Sequence, residues 1–444
     1  MTETRALARF AVRSRWDELP DAVRHEAARA LVNWIGCPVW GSRDATVERS
    51  LAALDPFSGP REAALLGRSE RVDALKAALL NGIASTVADY DDTHLASVVH
   101  PTGPAASALL ALVERQRISG SEFLHALALG IETQCRVALA LAPKTPGAYY
   151  MTGLVGGIGA AVAAGRVLGL DEDRMVYAIA IAASRAAGTR ETHGTMAKNL
   201  VAGCAAEEGL WAALLARAGV TAPETPLEGR RGLFVQVAPG ADLKVITAGL
   251  GTNFQILQNA YKPFPSGIVT HAAITGALEL AREHAPAPDA IAEIRLAVHP
   301  LCLELCGRPE PANAVEGTFS VHHWVAVALA TRAAGIAQFS DATVRDKVVS
   351  ALRKRVTARA EPRWRTDEAE IELVLRDGSI LRRHVDHAMG AAERPPSDAD
   401  LTRKLAELCE GRLAPGAAET LARACWGLAG EADASILTAC ARGI

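Results

Sequence analysis

"TGLVGGIGAAVAAG", Thr152 to Gly165, is the stretch whose reading decides the fold. Taken as a phosphate-binding loop, Gly157 and Gly159 would join a strand to a helix and make the chain a doubly wound α/β protein. That reading needs an apolar strand in front and an acidic residue on a second strand behind. "GAYYM", Gly147 to Met151, makes no such strand, and the downstream acid is missing. Small residues on a buried, closely packed helix account for the glycines instead, and the run is too short to span a membrane.

Outward from there, the helical period dominates. "DAVRHEAARALVNWIG" (21–36), "RVDALKAALLNGIAS" (71–85), "SGSEFLHALALGIETQCRVALAL" (119–141) and "NLVAGCAAEEGLWAALLARAG" (199–219) all repeat apolar residues at three- and four-residue spacing. Asp21 is the expected cap of the first, and Ser119-Gly120-Ser121 opens the helix that carries His125. After "KPFPSGIVTH", Lys262 to His271, the texture changes. "DAIAEIRLAVHP" (289–300) alternates like a strand, and "EAEIELVLRDGSILRRHVDH" (368–387) reads as a hairpin turning at Asp377-Gly378. Helical pattern separates them, from His322 to Ala334 and from Asp341 to Val356, and returns after an N-cap at Ser397. The expectation is a mainly α protein. A large helical domain is built from both chain ends (1–265 and 396–444), with a smaller α+β lid domain (266–395) inserted.

The 444 residues, 50% hydrophobic and 22% charged, suffice for two domains. A net charge of -3 supplies no field for nucleic acid or an anionic membrane. The charged start, "MTETRALARFAVRSRW", lacks the apolar core of a signal peptide, so a cytoplasmic protein is expected. Of eight scattered cysteines the closest pair, Cys302 and Cys306, suits a helix face rather than a CxxC motif, which points to reduced, buried thiols.

The densest polar run is "VADYDDTHLASVVHPTGPA", Val87 to Ala105. Asp89-Tyr90-Asp91-Asp92-Thr93 satisfies DxDxT, but a phosphatase nucleophile needs a strand in front and here the preceding residues are helical. Asp89, Asp92, His94 and His100 are legitimate metal ligands at spacings that fit no compact zinc signature, so no metal is expected. An acid/base pocket is the third reading. Two further segments could join it. Lys198 opens a helix among small apolar residues, where desolvation would tune it, although a snorkelling lysine has the same pattern. His271 follows the Lys262-Pro-Phe-Pro loop, either as a ligand or as a capping or core histidine. The run His322-His323-Trp324 could line the same pocket or pack beneath it.

Together these segments resemble the MmgE/PrpD family, whose members include 2-methylcitrate dehydratase, cis-aconitate decarboxylase and iminodisuccinate epimerase. "DYDDTHLASVVHPTG" is similar to its Asp-x-Asp-Asp-Thr segment with the following His-Pro. "MAKNLVAGCAAEEGLWAALLA" is similar to its lysine-bearing helix, and "KPFPSGIVTHAAITGAL" to its Lys-Pro-x-Pro loop ending in histidine. The resemblance covers nearly the whole chain. It implies a cofactor-independent site for a small polycarboxylate, between a helical domain and a lid, in a homodimer. It offers pocket roles to Asp89, Thr93, His100, Lys198 and His271, and the same segments add Asp92, His94 and Lys262 as substrate-binding candidates.

One departure stands out. Where the dehydratases and the decarboxylase present a histidine before the glycine-rich helix, this chain has Tyr149-Tyr150, and spacing back from Gly156 selects Tyr150. A phenol of pKa ~10 is a sluggish acid for a departing hydroxide. An epimerase needs two proton-carrying groups flanking one carbon, and a tyrosine facing a lysine or histidine suits that. The favoured expectation is therefore a 1,1-proton transfer epimerase using Tyr150, Lys198, His100 and Asp89. Dehydration of a 2-methylcitrate-like acid is the runner-up, with His94, His193 or His322 replacing the missing acid. A non-catalytic carboxylate-binding protein is the remaining alternative.

Overall fold

A computed structural model describes residues 1–145 and 147–443. The glycine-rich stretch lies in helix α5 (Met151–Val167), between α4 (Gly120–Leu141) and α6 (Ala197–Arg217). Its glycines are sites of close approach. A Cβ on Gly159 would stand 2.6 Å from the Gly130 carbonyl of α4, and one on Gly209 of α6 would stand 2.6 Å from the Gly157 carbonyl of α5. Around this trio pack α1 (Asp21–Gly41), α2 (Ala74–Ser85) and α3 (Thr102–Leu110).

α4 begins in a capping box between Ser119 and Glu122. It is long and apolar enough to cross a membrane, but 94% of its apolar window is buried inside the protein, as expected of a core helix. The Asp21 expectation needs a correction. Pro20, with extended backbone (φ -54°, ψ 144°), is the residue outside α1, and Asp21 is its first helical residue, where its charge favours the helix dipole.

Among the described residues two large hydrophobic cores form, with a small third cluster of Cys37, Ala88, Tyr90, Ile336 and Leu408. One gathers residues between Leu7 and Tyr261 with a return from Leu401 to Ala441, and the other gathers Ala260 to Ala388. The return runs through α9 (Asp398–Cys409), capped by Ser397 with Asp400 and packed on α1. In the second core, α7 (His271–Glu283) and α8 (Val321–Thr331) pack together, and α7 covers one face of a sheet. The sheet contains β3 (Ile291–Val298), β4 (Val356–Ala360), β5 (Ala369–Leu375) and β6 (Ile380–Val385) in the order β4-β3-β5-β6. β5 and β6 form the expected hairpin, with Gly378 at φ 88° and the Asp377 carboxylate accepting from the Ser379 amide. β4 corrects the helical reading that ended at Val356: that residue opens an edge strand parallel to β3, in register Ile294 to Val356.

The short antiparallel pair β1 (Asp92–His94) and β2 (Asn259–Tyr261) holds the aspartate run beside the Lys262 loop, with Asp92 opposite Tyr261. Among the described residues all eight cysteines are free.

Candidate active site

The site begins with backbone strain. Asp89 has φ 49° and Val98 φ 51°, a left-handed conformation that costs a non-glycine residue on the order of 1–3 kcal/mol and, for a β-branched one, is a true outlier. Both residues line one small cavity. The turn that presents Val98 is closed by the His94 amide bonding to the Val99 carbonyl and by His94 Nδ1 with Ser97 Oγ at 2.8 Å.

Asp89 is held by two buried lysines. Lys198 Nζ donates to its Oδ1 at 2.6 Å and to the Thr86 carbonyl at 3.3 Å. Lys262 Nζ donates to its Oδ2 at 2.9 Å and to its backbone carbonyl at 3.1 Å, and stands 3.5 Å from Asp91 Oδ1. Burial alone would neutralise the Asp89 carboxyl; the charges of Lys198 and Lys262 prevail and hold it well below the usual carboxylate range. Burial also opposes the Lys262 charge, and Asp89 and Asp91 together push it up. The result is a buried quartet of two aspartates and two lysines.

His100 closes one side. Its Nδ1 lies 2.8 Å from the Asp92 carbonyl, which can only accept, so Nδ1 carries the proton and Nε2 is the basic nitrogen. Burial lowers the pKa of His100 despite Asp91, 3.6 Å away. Next to it stands Tyr150, its ring edge-on to His100 at 5.9 Å and to His193 at 5.3 Å. The Tyr150 hydroxyl is buried and has no hydrogen-bond partner among the described residues. Burial first, then the charges of Asp89 and Asp91, raises its pKa well above 10, so the phenol stays protonated. Beyond it, His193 stacks on Phe319 at 4.9 Å, and burial with the Lys198 charge lowers its pKa to about 4.

Arg190, Gly267, Ile268, Val269, Leu305 and Cys306 complete the wall of this cavity, which measures about 40 Å³. That is room for a few waters. A cleft of about 730 Å³ adjoins it and shares Arg190, His193, Leu305 and Phe319.

The structure thus brings Asp89, His100, Tyr150 and Lys198 onto one cavity wall. Tyr149 instead pairs its backbone with Thr189. Asp92, Thr93, His94, Lys262 and His271 are absent from that wall and stand behind it. The Asp92 carboxylate accepts from Thr102 Oγ1 and from Asn259 Nδ2, both at 2.5 Å, and burial with Asp91 raises its pKa to about 6. Thr93 Oγ1 lies 3.1 Å from His100 Nδ1. His271 Nε2 donates to the Ser266 carbonyl at 3.1 Å, and burial with the Lys262 charge lowers its pKa to about 3. His323 packs beneath, near Arg353, while Phe319, three residues before His322, reaches the cavity.

Sequence reasoning missed Arg190 and Phe319, and it also missed Lys404. From α9, Lys404 Nζ donates to Asn33 Oδ1 at 2.7 Å and to the carbonyls of Tyr90 (2.5 Å) and Lys262 (2.8 Å). It lies 3.9 Å over the Tyr90 ring, and burial pushes its pKa down to about 8. A signal existed, because Lys404 falls on the apolar stripe of Leu401, Leu405 and Leu408.

A buried cavity with a fixed ion-pair quartet, a protonated phenol and neutral imidazoles is equipped for proton transfer at carbon. The chain belongs to the MmgE/PrpD family, matching its N-terminal domain over residues 5–246 and its C-terminal domain over residues 264–428. It is 26% identical to cis-aconitate decarboxylase of Mus musculus over 452 residues, covering 96% of this chain and 91% of that one. The Homo sapiens enzyme of the same name is 27% identical over 447 residues, with the same coverage. That of Aspergillus terreus (strain NIH 2624 / FGSC A1156) is 25% identical over 416 residues, covering 86% of this chain and 84% of that one.

Proposed function

We propose that this protein is a cofactor-independent lyase that removes a carboxyl group from a small unsaturated tricarboxylate, of which cis-aconitate is the type. The observation that carries the reading is the Tyr150 hydroxyl, buried in the cavity, unpartnered and held protonated. Decarboxylation consumes one proton. As the C–C bond breaks, carbon dioxide leaves and the electron pair stays on carbon, delocalised toward a neighbouring carboxylate. Tyr150 then delivers its proton to that carbon. Lys198, fixed by Asp89, is the cation that lowers the energy of the developing charge, and one well-aimed donor of this kind is worth about 3–4 kcal/mol. Because the inner cavity has room for only a few waters, most of the substrate would lie in the adjoining cleft, where Arg190 on the shared wall suits a second carboxylate. The relatives named for this reaction support the reading over comparable chain length.

A second reading is the 1,1-proton transfer of an epimerase. It is favoured by the neutral imidazoles of His100 and His193 on two sides of Tyr150, which provide a base for every acid. Under either reading we take the protein to be a cytoplasmic homodimer acting without cofactor.

Proton NMR in D2O, with cis-aconitate, 2-methylcitrate and iminodisuccinate supplied separately, tests this. The lyase reading expects cis-aconitate to give carbon dioxide and a five-carbon dicarboxylate carrying one deuteron. Deuterium entering iminodisuccinate with loss of optical activity, and no reaction of cis-aconitate, would replace it by the epimerase reading.

A further inference from the structure

Tyr150 is sealed from solvent, yet a decarboxylase must recharge its acid once per turnover. Of the residues lining the inner cavity, Arg190, His193, Leu305 and Phe319 also line the outer cleft. A guanidinium carries donors only and no acceptor, so it cannot take up a proton to pass on. His193 is therefore the one proton-exchanging side chain among the described residues that faces both spaces.

Its placement relative to Tyr150 is built into the backbone. The Tyr150 amide donates to the Gly188 carbonyl at 3.2 Å, the Arg190 amide donates to the Ala148 carbonyl at 2.7 Å, and the His193 amide donates to the Arg190 carbonyl at 3.0 Å. Gly188 (φ 125°) adopts a conformation that L side chains rarely reach, and its segment pairs with Tyr149 through Thr189. The loop carrying His193 is thus strapped to the segment carrying Tyr150. Phe319, from the second core, stacks on one face of the imidazole. His193 Nε2 is buried and has no partner among the described residues.

We propose that His193 is the proton relay that recharges Tyr150 from the outer cleft. This rests on the lyase reading of the same site. When the Tyr150 O–H bond breaks and the new C–H bond forms, a tyrosinate remains. Through a water in the inner cavity, one imidazole nitrogen gives it a proton while the other takes a proton from a water or buffer acid in the cleft. The ring ends neutral, and one proton has been drawn from solution for each carbon dioxide released. A neutral imidazole can act this way because one nitrogen donates while the other accepts.

The test compares wild type and His193→Ala on cis-aconitate by quenched-flow single turnover and by steady-state carbon dioxide release, with and without added imidazole. Wild type shows equal rates in both regimes. In the variant, the first turnover is expected to stay within about threefold of wild type, while kcat falls by about 10²-fold or more, the loss typical of a proton-transfer group. Added imidazole is expected to restore kcat in proportion to its concentration. A variant whose kcat matches wild type overturns the proposal. So does one whose first turnover is slowed as much as its kcat and that ignores imidazole, because His193 would then serve only to shape the wall. Wild type that releases no carbon dioxide overturns the lyase reading itself, and the relay with it.

Discussion

Replacing Lys262 by methionine would remove the cation that holds Asp89 from behind while leaving the cavity wall intact. Lys262 is fully buried and contacts the Asp89 carboxylate at 2.9 Å, the Asp89 carbonyl at 3.1 Å and Asp91 at 3.5 Å. At an effective dielectric of about 20, a unit pair at such a separation attracts by about 5–6 kcal/mol before the cost of stripping water. Desolvation offsets part of this, and removal of one partner from a buried pair nets about 3–5 kcal/mol of destabilisation, because Asp91 loses its lysine and Asp89 is left with Lys198 alone. With a urea slope of about 3 kcal/mol/M, the circular-dichroism midpoint at pH 7 should fall by about 1–2 M. Asp89 has a depressed folded pKa, so its stabilising contribution is present above its unfolded value and lost as pH falls through the folded one. Without Lys262 that folded pKa rises, and the acid limb of the stability curve should move upward in pH. The double variant Lys262→Met, Asp89→Asn should be less destabilised than the sum of the singles, by about 1–3 kcal/mol of coupling. Strict additivity, or a midpoint within about 0.3 M of wild type, would refute the claim that the quartet is an interdependent charge set, since that corresponds to about 1 kcal/mol or less.

Three further outcomes can be checked with the same preparations. Tyr150→Phe deletes an unpartnered hydroxyl, so melting should show no loss of stability while kcat drops by about 10²–10⁴-fold; an active phenylalanine variant would remove Tyr150 from the chemistry. His271 is neutral in the fold down to about pH 3 but takes a proton near 6.5 when unfolded, so its contribution weakens as pH falls below 6.5, by about 1.4 kcal/mol per unit. His271→Gln should therefore flatten the dependence of the urea midpoint between pH 6.5 and 5 by about one proton's worth, and an unchanged slope would show that His271 is charged in the fold. Gly159→Ala sets a methyl 2.6 Å from the Gly130 carbonyl and should cost about 1–3 kcal/mol in urea melts, whereas a neutral substitution would mean that α4 and α5 can slide apart.

Local signals in the chain were enough for elements whose cause is local. The glycine and alanine spacing of α5 marked a close-packed helix, and Asp377-Gly378 marked the β5–β6 turn. β4 was not legible. "VTARA" follows a helical run directly and leaves most of its side chains partly or fully exposed at a sheet edge, so the pairing with β3, some sixty positions earlier, determines it rather than its own pattern. The site divides the same way. Residue types that can carry protons were visible at Asp89, His100, Tyr150 and Lys198, but nothing in the sequence states that Lys198 meets Asp89 across 109 positions. Arg190 offered no signal because it opens a three-residue 3₁₀ turn too short to show periodicity, and its meaning comes from the wall it shares between cavity and cleft.

Lys404 helps to fix the C-terminal return, through helix α9, against the first core. Its ammonium bonds the carbonyl of Tyr90, inside the aspartate run, and that of Lys262, at the head of the loop entering the second core. Lys262 in turn grips Asp89, whose left-handed backbone is unfavourable in isolation. Strain at Asp89 therefore persists because three segments more than a hundred residues apart over-determine it, and one of them arrives only with the C-terminal return. A buried lysine on an apolar helix stripe would otherwise be destabilising; here its desolvation is compensated by three oxygen acceptors and the Tyr90 ring. The same bonds tie the aspartate run, the loop entering the second core and the C-terminal return together at the site.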